Sequence, residues 1–412
     1  MTKLGEVLDK IIGGGTPSKR EESYWNGNIP WASVKDISEE QVFLSYTKDC
    51  ITAEGLKKSS SNLIPKGTVI IPTRMGLGRC VITIIDTAIN QDLKALIPNI
   101  SKLNSKYLLY WLKNNSSLIE SMGSGTTVKG IRLEQLTDLY FKDVDIKTQQ
   151  KIAKVLSNYD DLIENNNKRI KILEEMAQKI YKEWFVDFKF PGHETATFKD
   201  SELGKIPTDW KVGTIKDIND VKGGYAFKRE DLKDTGECGV IKIKNIQSGD
   251  IDVTSCQYIS EDIAQKAYAY RLFAGDMLIA MTGAQVGKVG IMPKTEQHYY
   301  LNQRVGKFVP NKEYIVNNQY LSMCTSSEKF NILINNVASG VAQPNISSSQ
   351  IESIEILAPK AEILTKFETL VNPLFMETMV FKEKNAILKQ TRDLLLPRLI
   401  SGEIDVENME IV

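Results

Sequence analysis

The sequence predicts an α+β protein in which two repeated α/β units are separated by two long helices, packed as an antiparallel coiled coil with approximate twofold symmetry. Three observations predict it. A heptad-spaced apolar series occupies the middle of the chain, the chain repeats itself, and short β-rich runs punctuated by Gly, Pro and Asn fill each copy.

From Gln149 to Trp184, apolar side chains recur at alternating steps of four and three: Ile152, Leu156, Tyr159, Ile163, Ile170, Leu173, Ala177, Ile180 and Trp184. Asn166 is the polar interruption. A 3.5-residue period keeps one stripe facing a partner, so the spacing predicts a long helix with a coiled-coil seam. At about 1.5 Å per residue it is roughly 54 Å long, longer than a typical domain is wide. Such a helix cannot bury its stripe alone.

The repeat supplies the partner. An offset of 215 residues carries SGTTVKGI (124–131) onto SGVAQPNI (339–346). The same offset carries Ile152, Tyr159, Asn166, Leu173 and Ile180 onto Phe367, Leu374, Phe381, Leu388 and Leu395, all apolar. A second long helix is therefore expected. Its other seam is poorer, with Val371, Thr378, Asn385, Arg392 and Leu399, and Pro373 predicts a kink or break near its start.

The globular parts repeat as well. Lys66-Gly67-Thr68-Val69-Ile70-Ile71 resembles Ala274-Gly275-Asp276-Met277-Leu278-Ile279, and Asn90-Gln91 resembles Asn302-Gln303. At the openings, Gly14-Gly15-Thr16 matches Gly223-Gly224-Tyr225. The expected order is a globular unit over 1–147, a helix over 148–190, a linker over 191–208, a second unit over 209–358, a second helix over 359–400 and a tail over 401–412. With the second unit between them, the helices are expected to run antiparallel and hold the units at opposite ends.

Composition narrows the class. The chain has 412 residues, 42% hydrophobic and 25% charged, which suits a soluble protein of more than one domain. No apolar run is long enough for a membrane span and no signal peptide is seen, so a cytoplasmic location is expected. Five scattered cysteines without a CxxC pair fit reduced thiols. Basic and acidic residues number 52 each, so any grip on nucleic acid must come from local loops or from a partner.

Catalytic motifs are scarce. Gly283 to Lys288 resembles a phosphate loop but is one residue short and lacks the Ser/Thr for magnesium. Asn372-Pro373-Leu374-Phe375 approaches the motif that holds a flipped adenine, yet it lacks the second proline and falls inside the predicted helix. Asp86, Asp92 and Lys94 suggest a nuclease cluster, but Asp92-Leu93-Lys94 becomes Arg304-Val305-Gly306 in the second copy. The histidines, His193 and His298, have no cysteine nearby, so no metal site is expected. No catalytic residue is assigned.

What remains is a set of loops rich in cations, amides and aromatics. The DNA-binding candidates in the first copy are Thr16, Ser18, Lys19, Arg20, Tyr24, Arg74, Arg79 and Lys129. Those in the second are Lys222, Tyr225, Lys228, Arg229, Lys244, Asn245, Gln285, Lys288 and Gln343. Arg and Lys match guanine edges, Asn and Gln match adenine edges, and hydroxyls hold phosphates. Each taken alone is also an ordinary solvated surface residue; their recurrence in equivalent loops favours binding.

Four motifs then stand out: Gln149-Gln150-Lys151-Ile152-Ala153, Leu173 to Tyr181 running into Trp184-Phe185-Val186-Asp187-Phe188, Leu203 to Trp210, and Leu394 to Ile404 with its LLPRLISGEI ending. With the repeat, they resemble the specificity (S) subunit of Type I restriction–modification systems over essentially the whole chain. The resemblance implies two target recognition domains that read the halves of a bipartite, asymmetric site on double-stranded DNA. It implies spacer helices that set the gap and dock two methyltransferase subunits, with restriction subunits joining the complex. S-adenosylmethionine, ATP and magnesium then belong to those partners, and this chain carries no cofactor and no catalysis of its own. Asn385 and Arg392 are candidates to face a partner subunit. Two other classes remain: a coiled-coil adaptor with protein-binding globular units, and a self-contained methyltransferase or nuclease using the repeat as scaffold.

Overall fold

The same sheet topology occurs twice along the chain. A computed structural model describes residues 1–125, 129–311, 318–338 and 344–407. The chain divides into two compact units, Met1–Glu164 with Ala386–Val412, and Asn165–Asn385.

In the first unit, a five-stranded sheet has the order Leu8–Gly13, Leu93–Pro98, Val69–Pro72, Val81–Thr83, Phe43–Leu44, antiparallel except for the last pair. A four-stranded sheet has the order Asp49–Ile51, Trp25–Ala32, Thr87–Ile89, Asn62–Ile64, with a parallel central pair. The second unit repeats both. Its five-stranded sheet runs Asn219–Gly223, Val305–Pro310, Met277–Ala280, Val289–Ile291, Gly249–Asp250, again ending on a parallel pair. Its four-stranded sheet runs Gln257–Ile259, Cys238–Ile241, His298–Leu301, Arg271–Leu272, again with a parallel centre.

Strand periodicity explains how each five-stranded sheet is covered on both faces. Alternate side chains point to opposite sides. Val69 and Ile71 therefore join the core under the helices, whereas Ile70 joins the core shared with the four-stranded sheet. In the second unit Met277 and Ile279 face the helices and Leu278 and Ala280 the other sheet. Nearly continuous apolar runs are what such doubly buried strands require.

The first long helix spans Ile146–Tyr181 and ends in a widened turn over Lys182–Val186. Asp145 starts it by accepting the backbone N–H groups of Lys147 at 3.0 Å and Thr148 at 3.1 Å. Gln149 anchors it. Its buried amide accepts from Asn104 N–H at 2.9 Å and donates to the carbonyls of Lys102 at 2.9 Å and Val144 at 2.8 Å. The second long helix spans Ala361–Ser401.

Within the first unit, Ile152, Ala153 and Leu156 share a core with Leu399 and Ile400. Arg392 Nη1 donates to Asp160 Oδ1 at 2.5 Å, and Lys151 Nζ donates to the Val406 carbonyl at 3.3 Å, so the helix segments run antiparallel there. Within the second unit, Asn166 meets Asn385, Arg169 stacks over Phe381, and Ala177 and Trp184 share a core with Val371 and Phe367. The segments are again antiparallel. Trp184, Phe185, Trp210, Tyr320 and Phe367 form an aromatic cluster with Phe185–Phe367 centroids 4.9 Å apart.

Of the predicted seam, Ile152, Leu156, Ile163, Asn166, Ile170, Ala177, Trp184, Phe367 and Phe381 are buried, and Tyr159, Leu173, Ile180, Leu374, Leu388 and Leu395 are half-buried.

Two expectations about the second helix are corrected. Pro373 does not break it, and the helix runs uninterrupted through that residue. Val371 and Phe367 are completely buried beside Pro373, and Asn372 Oδ1 accepts from Gln319 Nε2 at 3.0 Å, so tertiary contacts hold the turn that proline leaves one hydrogen bond short. Nor do Asn385 and Arg392 face outward to a partner. Both are engaged inside the seam, because the facing helix presents Asn166 and Asp160 to them.

A candidate nucleic-acid interface

In each unit, four loops meet at the end where the two central parallel strands terminate. The loop after the first strand of the five-stranded sheet passes very close to that end. A Cβ on Gly14 would lie 1.9 Å from the Ile89 carbonyl oxygen, and one on Gly224 would lie 2.3 Å from that of Leu301. Only glycine permits this approach.

The same backbone hydrogen bonds then tie the loops together in both copies. Gly15 N–H donates to the Ile89 carbonyl at 3.0 Å, and Tyr225 N–H to that of Leu301 at 2.8 Å. Asn90 N–H bonds Ala32 at 3.0 Å, and Asn302 N–H bonds Ile241 at 3.1 Å. Thr73 N–H bonds Asp92 at 2.8 Å, and Met281 N–H bonds Arg304 at 3.1 Å. Ile131 N–H bonds Thr73 at 3.0 Å, and Ile346 N–H bonds Met281 at 2.9 Å. Strand register agrees, since Lys94 pairs with Gly13 and Gly306 with Gly223. The repeat therefore aligns Gly13-Gly14-Gly15 with Gly223-Gly224-Tyr225, one residue earlier than expected from sequence, because three consecutive glycines leave the register ambiguous.

The frame is shared and the side chains on it differ. In the first unit it carries Thr16, Arg74, Gln91, Asp92, Lys94 and Lys129. Thr16 Oγ1 donates to Gln91 Oε1 at 2.6 Å, which leaves Gln91 Nε2 on Asp92 Oδ2 at 3.3 Å. Lys94 Nζ donates to the Gln91 carbonyl at 2.9 Å. Burial holds the Lys94 ammonium below the usual lysine range, with Asp92 opposing and Arg74 adding to the effect. Arg74 and Lys129 are exposed.

In the second unit, Met281, Thr282, Gln303, Arg304, Pro344 and Asn345 line a shallow cavity of about 460 Å³. Gln303 and Arg304 are exposed there. Tyr225 leans on Phe227 and Tyr270, with centroids at 4.9 and 5.6 Å. Lys244 is exposed in the turn Ile243–Asn245, beside the end of the strand that Asn302 N–H caps.

The remaining candidates fall into three groups. Ser18, Lys19 and Arg20 are exposed, but their segment is tied to the outer sheet through Trp25 Nε1, which donates to the Ser18 carbonyl at 3.1 Å. Tyr24 is half-buried against Gly55 and Thr52 in the same region. Lys222 is exposed on its strand, and Lys228 and Arg229 are exposed at the turn Arg229–Asp231, Lys228 Nζ lying 3.7 Å from Glu230. Gln285 and Lys288 are half-buried in the hairpin loop between Met277–Ala280 and Val289–Ile291. That loop holds one short 3-10 turn, Gly283–Gln285, and leads into a strand and not an α-helix, so it is no phosphate loop. Gln343 lies outside the described residues.

One candidate is corrected. Asn245 is fully buried at 0% exposure. Its Oδ1 accepts from Lys242 N–H at 3.0 Å and its Nδ2 donates to the Asp252 carbonyl at 2.9 Å, so the amide holds a turn and reads nothing outside. Arg79, in the hairpin loop of the first unit, is half-buried, and its Nη1 donates to the Ile37 carbonyl at 3.2 Å. Conversely, sequence reasoning missed Gln91, Gln303, Arg304 and Asn345 as exposed loop residues. For Gln91 and Gln303 the signal was there, in the Asn-Gln pairs that mark the repeat. Among the described residues no group of three or more His, Cys, Asp and Glu side chains is placed to hold a metal ion, and no helix is long and apolar enough to cross a membrane.

Comparisons with known proteins agree with this duplicated frame. The chain is 30% identical to the Type I restriction enzyme MjaIX specificity subunit of Methanocaldococcus jannaschii, covering 98% of this chain and 93% of that one. It is 26% identical to the MjaVIII specificity subunit of the same organism, over 99% and 93%. Its fold matches the crystal structure of a Type I restriction–modification S subunit from M. genitalium, with a TM-score of 0.60, 17% identity, and coverage of 96% and 94%. The family model of the Type I restriction modification DNA specificity domain matches twice, over residues 1–175 and 207–377. Two matches on two copies of one sheet topology leave a plain conclusion: the chain belongs to the Type I restriction–modification DNA specificity family.

Proposed function

We propose that this chain is the DNA-sequence-specificity subunit of a Type I restriction–modification complex, each unit reading one half of a bipartite, asymmetric target. The observation that carries the reading is the pair of loop frames, alike in backbone hydrogen bonding and different in side chains. Asp92 and Lys94 of one stand where Arg304 and Gly306 stand in the other. A shared frame docks each unit on the duplex in the same way, and different side chains meet different base edges. Two unlike readers on one chain require a target that is not a palindrome.

The long helices fix the separation of the half-sites and dock two methyltransferase subunits. Restriction subunits join through the complex. This chain supplies the address, while adenine-N6 methylation and ATP-dependent cleavage belong to the partners, with their S-adenosylmethionine, ATP and magnesium. The work proceeds in the cytoplasm, where the DNA is. Neutral overall charge fits a division of labour in which the partners provide much of the phosphate grip.

The test is to produce the chain with its methyltransferase partner and map methylated adenines genome-wide. The expected result is one split, asymmetric motif. A continuous palindrome, or no motif at all, refutes the reading.

A further inference from the structure

At one equivalent backbone hydrogen bond, the hairpin loops of the two units place different left-handed residues, and in the first unit a second one, Gly76 at φ 81°, follows directly. Met75 N–H donates to the Lys129 carbonyl at 3.3 Å, and Gly283 N–H donates to the Pro344 carbonyl at 2.9 Å. Both residues have positive φ, 50° at Met75 and 74° at Gly283. Glycine takes this conformation freely, whereas Cβ of any other residue crowds the following carbonyl. The second unit thus has the residue that backbone sterics favour. The first unit has a strained methionine, and its side chain is 53% exposed, so burial does not offset the strain.

At 53% exposure, the unbranched thioether gains little from burial on this turn. Its neighbours indicate what it does instead. Arg74, bridged through its backbone to Gly130, and Lys129 are exposed on the two segments that hold the turn. We propose that Met75 is a base-contacting, specificity-determining residue of the first unit. Its side chain lies on the base edges of duplex DNA, with Arg74 and Lys129 on the flanking phosphates. The inference rests on the DNA-reading function proposed above. Cations at a DNA surface satisfy phosphates whatever the sequence, while an apolar side chain between them distinguishes sequences through the apolar surface of the bases, above all the thymine methyl. Methionine adapts to such a surface through three rotatable bonds.

The experiment uses the full chain with its methyltransferase partner, on duplexes carrying the mapped motif and every single base-pair change in it. Met75→Gly relieves the turn, so its melting temperature should equal or exceed that of the parent. Its affinity for the intact motif should fall about ten-fold, with discrimination lost at one or two adjacent base pairs of a single half-site. The salt dependence of binding should stay the same, because no phosphate contact is removed. Met75→Leu should retain most of the discrimination. Unchanged discrimination in Met75→Gly, or an even loss over all duplexes with a shallower salt slope, overturns the proposal. If the parent complex itself shows no split motif, the failure lies with the proposed function and not with Met75.

Discussion

Asn166 and Asn385 join their side-chain amides inside the buried seam of the second unit, Nδ2 of the first donating to Oδ1 of the second at 2.8 Å. Asn385 Nδ2 in turn donates to Asn167 Oδ1 at 2.8 Å. An amide pair in an apolar seam contributes little net stability but penalises any sliding of one helix past the other, since a slipped Asn loses its partner. Asn385→Leu should therefore cost about 1–3 kcal/mol, by stranding the Asn166 amide. Asn166→Leu with Asn385→Leu should recover most of that loss while loosening the register. Chemical denaturation measures the first effect, and hydrogen exchange along the helices the second. A double variant no more stable than Asn385→Leu would show that the pair is not coupled.

Asp160 is 3% exposed and accepts from Arg392 Nη1 and from Tyr110 Oη, both at 2.5 Å. Removing the cation leaves a carboxylate in a low-dielectric core. Arg392→Met should destabilise the first unit by about 3 kcal/mol, and Tyr110→Phe by about 1–2 kcal/mol. Replacing Asp160 by Asn together with Arg392→Met should restore part of the loss. Thermal unfolding of the set decides it, and a neutral Arg392→Met would return that residue to the pool of partner contacts.

Glu368 gives the protein a pH dependence of opposite sign to that of a paired carboxylate. It is 3% exposed, and its Oε1 accepts from Tyr320 N–H at 2.9 Å. Burial pushes its carboxyl up to about 7 from an ordinary 4.5, against the pull of the Tyr320 and Gln319 N–H groups. The folded state thus binds a proton that the unfolded chain releases. Stability from this group is greatest below about pH 4.5, falls as the pH rises through 7, and stays low above. Glu368→Gln should remove that slope and stabilise the second unit at pH 8 by on the order of 2 kcal/mol. Denaturant midpoints from pH 5 to pH 8 test this, and an unchanged slope in the variant refutes it.

The loop frames predict separable losses of specificity. Arg304→Ala should cost about 1–3 kcal/mol in binding and relax one position of one half-site, leaving the other half intact. Arg79→Ala should instead lower the melting temperature of the first unit with the recognised motif unchanged, because its guanidinium holds the Ile37 carbonyl. Methylation mapping beside thermal unfolding separates the two. A motif altered by Arg79→Ala would reverse the assignment.

Local pattern carried much of this fold, and pairing carried the rest. The heptads from Ile152 to Trp184 specify a helix because 3.5-residue periodicity is a property of one segment alone. Asn385 and Arg392 looked like defects in a seam since their partners, Asn166 and Asp160, lie more than two hundred residues away. The loop residues divide in the same manner. Lys129 and Arg74 announce themselves as cations, whereas the engagement of Asn245 and Arg79 depends on Asp252 and Ile37, which no spacing rule connects to them. The strain at Met75 is legible only against Gly283, and only once a shared backbone hydrogen bond places the two at equivalent loop positions.

The first unit is discontinuous: its core is closed by Leu399, Ile400 and Val406, made after the whole of the second unit, which is one uninterrupted stretch, Asn165–Asn385. On the ribosome this inverts the order of birth. Leu136, Ile152 and Leu156 must wait for core partners until Leu399, Ile400 and Val406 have been made. Residues made later already have a complete core. A nonsense codon shortly after Asn385 would therefore spare the second reader and cripple the first, although every residue up to Glu164 had been synthesised correctly.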